Sequence, residues 1–110
     1  MENFEALKIF AKAVDNNDDA AARAALENIP AEVLNERDAD DYDYLMAAVQ
    51  NGCACAVRAL LASGKCDLTH RENLCGMTAR EFAQDYPAGS PMRQAFEAVP
   101  GAHAEAGDAR

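Results

Sequence analysis

Apolar positions recur along this chain in short helical runs separated by polar, turn-forming stretches. Between 4 and 14, Phe4, Leu7, Phe10, Ala11 and Val14 share one stripe at helical spacing, which predicts an amphipathic helix. Glu2, Glu5, Lys8 and Lys12 fall largely off it. The run Asp15-Asn16-Asn17-Asp18-Asp19 consists of turn formers and N-caps, so it ends that helix and starts another. Ala20 to Glu27 is the Ala-rich second helix, and Pro30 keeps it from running much further.

The middle of the chain repeats the arrangement with clearer punctuation. Glu36 to Tyr44 (ERDADDYDY) has no stripe and reads as an exposed connection, with Asp43 as N-cap of a helix over Leu45 to Gln50. Gly52 supplies the left-handed residue that ends it. Ala54 to Ala62 is the next helix, presenting Val57, Leu60 and Leu61, and Gly64 closes it in the same way. A second exposed connection follows, CDLTHRENLCG. Thr78-Ala79-Arg80-Glu81 is then a capping box before Phe82-Ala83. Ser90-Pro91 is another start signal, for a helix carrying Met92, Ala95 and Phe96. The last stretch, 99–110, is small and polar and is expected to be a disordered tail.

These helix pairs share a period. Ala13, Ala48 and Ala83 are spaced by 35 residues, as are Ala22, Val57 and Met92, and Leu26, Leu61 and Phe96. The turn residues Asn17, Gly52 and Pro87 keep the same offset. A period of this length marks stacked supersecondary units, each unable to bury its apolar face alone.

The middle unit, DDYDYLMAAVQNGCACAVRALLASGKCDL, resembles an ankyrin repeat at Leu45, Ala47, Ala48, Asn51-Gly52, Val57, Leu60-Leu61, Gly64 and Asp67-Leu68. The third unit begins Gly76-Met77-Thr78-Ala79-Arg80-Glu81-Phe82-Ala83, which looks like the G-x-T-A-L-D-L-A start of terminal repeats of that family. The resemblance implies an all-α, ankyrin-like solenoid of three helix-turn-helix repeats with two finger-like connections. The repeat domain would span 1–98, with repeats at about 4–37, 38–72 and 73–98. The sequence departs from the family at three points. Its period is two residues longer than the usual ~33. Asp43-Tyr44-Leu45-Met46 stands in place of T-P-L-H. Arg80 occupies a position where the family buries Leu, which marks the third unit as an end cap with one face in water.

Composition narrows the chemistry. The 110 residues suit one domain, and with only 6% aromatics and no Trp the core rests on Ala, Leu, Val and Met. Ten basic against nineteen acidic residues give a formal charge of -9, which argues against nucleic-acid and anionic-membrane partners and favours basic or neutral ones, although the same charge is more simply read as keeping a small protein in solution. The first residues carry no secretory signal pattern and no stretch reaches the ~20 apolar residues of a membrane span, so a cytoplasmic location is expected. The Met start and loose tail give the expectation of a complete chain.

Cys53 and Cys55 open a helix and Cys66 lies beyond its end, on the order of 15 Å away, so all four cysteines cannot ligate one zinc. They are expected as unlinked thiols; Cys66 and Cys75 bracket a connection that would let them pair on oxidation. Asp38, Asp40, Asp41 and Asp43 fail as an EF-hand, which would want Gly at 43 and Glu at 49. His70 and His103 have no triad or general-base pattern around them. No cofactor, metal or catalytic role is expected.

What remains is surface. The resemblance places partner contacts on the finger tips and the exposed side of each first helix: Ala39, Asp40, Tyr42, Gln50 and Asn51, then Leu74, Cys75, Met77, Asp85 and Tyr86. Tyr42, Leu74 and Met77 would form an apolar centre with a carboxylate rim, as protein-binding patches require. The alternative is that the longer fingers fold these side chains back onto the core. The expected function is non-catalytic binding of a basic or amphipathic partner segment, as a monomer or weak homodimer. The competing expectation is a self-associating or regulatory subunit of an enzyme.

Overall fold

The computed structural model describes residues 3–97; the expected tail at 99–110, with His103, lies outside the described residues. The chain is all-helical there, with no strand among the described residues. Its elements are α1 (Asn3–Asp15), α2 (Asp19–Leu26), α3 (Ala31–Leu34), α4 (Tyr44–Gln50), α5 (Ala54–Ser63), α6 (Ala79–Ala83) and α7 (Pro91–Glu97). Within the described residues no helix is long and apolar enough to cross a membrane.

Caps fix the starts. Asp18 accepts from the Ala21 N–H, Asp43 from Met46, and Thr78 from Glu81, whose carboxylate returns to the Thr78 N–H. Ser90 Oγ accepts from the Arg93 N–H at 3.3 Å, ahead of Pro91 in the first turn of α7.

The turns of the first two pairs are closed identically. Asn17 (φ 54°) and Gly52 (φ 74°) both adopt the left-handed conformation. Asn17 N–H donates to Val14 C=O and Asp18 N–H to Ala13 C=O; thirty-five residues on, Gly52 donates to Val49 and Cys53 to Ala48. Both are Schellman closures. Pro87 aligns with these two residues but has no N–H, so the third turn runs on to Gly89 (φ 81°) before α7 begins.

Helices pair as α1 with α2, α4 with α5 and α6 with α7, and successive pairs meet through α2–α5, α5–α7 and α4–α6. The nine positions sharing the 35-residue period are all buried in one core. Central α5 buries Cys55, Ala56, Val57, Ala59, Leu60 and Leu61, most of its circumference, because helices pack on several sides of it.

Two features differ from expectation. The buried face of α1 is Ala6, Phe10 and Ala13, while Phe4 is 67% exposed and Ala11 is exposed. As a terminal helix α1 packs chiefly on α2, and the small side chains Ala6 and Ala13 permit the close approach. The short α3 follows Pro30, which serves as its N-cap rather than only as a stop, and the segment buries Ile29 and Leu34 completely.

Candidate functional site

The two connections between helix pairs are irregular, and a carboxylate organises each. In the first, Asp38 Oδ1 accepts from the Asp40 N–H at 2.9 Å and the Tyr42 N–H at 3.0 Å. Asp41 is left at φ 66°, a conformation that Asp tolerates better than most residues. In the second, Glu72 is the centre. Its side chain is fully buried, and its oxygens accept from the backbone N–H groups of Leu74, Cys75 and Met77 at 2.7–3.1 Å. The Met77 N–H and then the Cys75 N–H hold this carboxyl below the usual Glu range, against the opposing effect of burial.

The fingers are also tied to each other. His70, buried at the base of the second, places Nε2 2.8 Å from the Asp41 carbonyl and 3.6 Å from Asp41 Oδ2. Asn35 links α3 to the second connection, donating to Lys65 C=O and accepting from the Asp67 N–H. Between the tips lies a hollow of about 350 Å³ lined by Ala39, Asp40, Asp41, Tyr42, Glu72, Asn73 and Leu74.

The expected contact residues divide into two groups. Asp40, Gln50, Asn51, Leu74 and Asp85 are exposed, as are Ala39 and Cys75. Tyr42, Met77 and Tyr86 are only partly exposed and pack against the core. The Tyr42 ring meets Phe82 edge-on, with centroids 5.6 Å apart and planes at 62°. Burial first, and the Glu72 charge second, raise the Tyr42 hydroxyl above its ordinary pKa. Tyr86 donates its hydroxyl to Val49 C=O at 2.6 Å. Tyr42 and Tyr86 therefore tie the second and third pairs together while Met77 packs on the core, and the expected apolar centre is reduced to Leu74, 89% exposed on a tightly held loop.

The thiols are unlinked. Burial pushes Cys66 up to about 12, and burial with the neighbouring Asp19 pushes Cys55 up to about 11, so both resist forming the reactive thiolate. Cys55 and Arg58 both donate to Asp19, joining α2 to α5. Arg80 is half-buried rather than free in water, and its Nε has no hydrogen-bond partner among the described residues.

Sequence reasoning missed Glu72 and His70 as organisers of the fingers. A carboxylate buried by donors of its own loop leaves no periodic signal. It also missed a groove between α1 and α4, about 240 Å³ in volume, walled by Phe10, Val14, Tyr44 and Ala47. The chain matches no protein-family model, no curated protein and no solved structure.

Proposed function

We propose that this chain is an ankyrin-like stack of three helix pairs that binds a protein partner without catalysing a reaction on it. One observation carries the reading: Leu74 stands almost fully exposed on a loop whose backbone is fixed by buried Glu72. A buried carboxylate with its oxygens occupied by backbone donors fixes the loop that presents this otherwise exposed apolar side chain. Such pre-organisation lowers the entropy lost when a partner docks. The surrounding carboxylates Asp40 and Asp41 favour a basic or amphipathic segment. The equal offset of buried positions and of the first two turns supports the repeat reading.

Leu74→Ser is the informative substitution, because Leu74 touches little of the core and the fold should survive. Affinity capture from the native cell should lose its partner set with this variant, while circular dichroism and sizing stay unchanged. An identical captured set would remove the finger tip from the binding surface. Phe4 and Ile9, 67% and 45% exposed on α1, favour self-association as the second reading. A dimer in the wild type that Phe4→Ser abolishes would select it.

A further inference from the structure

The first helices of the three pairs do not meet alike. α4 packs against α6, whereas α1 and α4 are separated by the 240 Å³ groove. Phe10 and Val14 form one wall, Tyr44 and Ala47 the other, with Cys53 and buried Leu60 also in the lining. Tyr44 and Ala47 also line an adjoining hollow of about 260 Å³ that holds Glu36, Arg37 and Asp38. The groove thus runs along α4 from an apolar end to a charged one. Its lining carries the carboxylates Asp15, Glu36, Asp38 and Asp43 against the single cation Arg37.

We infer that this groove takes a short cationic amphipathic segment of a partner protein. An apolar side chain of that segment seats between Phe10 and Tyr44, and its Lys or Arg side chains lie toward Asp15, Glu36 and Asp38. The inference rests on the protein-binding reading but moves the anchor from the fingers to the α1–α4 groove. Shape supports it, because the apolar end, walled by Phe10, Val14, Tyr44 and Ala47, has room for an inserted side chain and continues along α4 into the charged end. Charge supports it, because carboxylates beside low-dielectric walls focus a field that attracts cations. An amphipathic helix laid in an apolar groove is a recurrent way to meet both demands.

Two cysteines give the test. Cys53 lines the groove, whereas Cys75 is exposed on the second finger. A synthetic amphipathic Leu/Lys helix, at roughly ten times its Kd, should slow alkylation of Cys53 on the order of tenfold, since only free protein reacts. Cys75 should react at its original rate, and a Leu/Glu helix should protect neither. Ala47→Phe fills the groove and should weaken binding of the labelled Leu/Lys helix, read by anisotropy, by tenfold or more. Ala47→Ser leaves the groove open and should bind as the wild type, which separates blockage from a folding fault.

Protection of Cys75 alone would leave the finger surface standing and overturn the groove. Absence of protection at both thiols, or equal protection by the Leu/Glu helix, would overturn it as well. Protection of Cys53 that rises with protein concentration alone would assign the groove to a second copy of this chain.

Discussion

The junction between the second and third helix pairs is closed, and that between the first and second is open on one side. At the closed junction Tyr42 meets Phe82 and the Tyr86 hydroxyl reaches Val49, passing close enough to Gly52 that a Cβ there would lie 3.6 Å from Tyr86 Oη. At the open junction the links lie on the α2–α5 side. Asp19 pairs with Arg58, and Lys65 Nζ donates to the carbonyls of Leu26 and Ile29 at 2.6 and 2.8 Å, satisfying the end of α2 where no glycine closes it. The α1–α4 side has the groove instead. The 35-residue period says why: Ala47 and Asn51 stand where the next unit has Phe82 and Tyr86. At these two offset positions the closed junction carries aromatic rings and the open one carries Ala and Asn.

The largest expected effect comes from opening the closed junction. Phe82→Ala removes a buried ring and its edge contact with Tyr42, and should cost about 3–5 kcal/mol. Because small domains have only about 5–15 kcal/mol in hand, urea unfolding should show a large fall in midpoint. A loss below about 1 kcal/mol would mean that the two pairs are held by the outer helices alone.

The converse change closes the open junction. Ala47→Phe with Asn51→Tyr transplants the residues of the third unit onto the second. Filling an existing hollow should raise stability by about 0.5–2 kcal/mol. A destabilised double variant would show that α1 and α4 are held apart by packing elsewhere, and that the groove is not simply unfilled space. Smaller again is Tyr86→Phe, which keeps the ring and deletes the hydroxyl bonded to Val49 C=O. Its expected cost is about 1 kcal/mol, with faster hydrogen exchange in the 84–90 turn.

Much of this fold was legible in the sequence, and the reason is specific. Burial of Ala13, Ala48, Ala83 and their counterparts follows from helical periodicity repeated at a fixed offset, and the caps at Asp43, Thr78 and Ser90 are local chemistry. Helix α3 was not legible, because four residues after a proline give no period to read. The α1 stripe was misassigned at Phe4 and Ala11 because a terminal helix with one main neighbour buries a narrower face than its apolar residues suggest. Of the candidate site, exposure was legible where a residue sits in a polar loop, as at Asp40 and Leu74. It was not legible at Tyr42, Met77 and Tyr86, whose partners are distant in sequence. The groove depends on what Ala47 and Asn51 lack, and a hydrophobic pattern does not display a missing ring.

Asp43 stands where the two junctions meet, and its titration offers the finest probe of the difference between them. It caps α4 through Met46 N–H at 2.9 Å, is buried, and feels His70 and Asp67 from the second finger and Arg37 from the groove side. Burial raises its pKa above the ordinary Asp value, more than the Met46 N–H lowers it. A carboxyl raised on folding favours the folded state fully when protonated, below its unfolded pKa. That contribution is lost as pH rises through the folded pKa, so at neutral pH the buried charge is a standing cost. Asp43→Asn keeps an N-cap of about equal quality but cannot ionise. The stability of the variant minus that of the wild type should therefore increase as pH climbs from below 4 toward 7 and then level off. Asp19 and Glu72, whose pKa values are lowered, lose stability in the opposite sense as pH falls, but they do so in both proteins and cancel in the difference. Asp67, also lowered, is coupled to Asp43, and its part is read from the same comparison on an Asp67→Asn background. Asp43→Ala removes the cap as well as the charge, so it should follow the same pH trend as Asp43→Asn but lie about 1 kcal/mol below it at every pH, which separates capping from charge. If the Asn variant is instead less stable than the wild type at pH 7, the Asp43 charge is compensated in place. Repeating the measurement with Arg37→Gln and with His70→Gln would then tell which side of the molecule, open or closed, supplies the compensation.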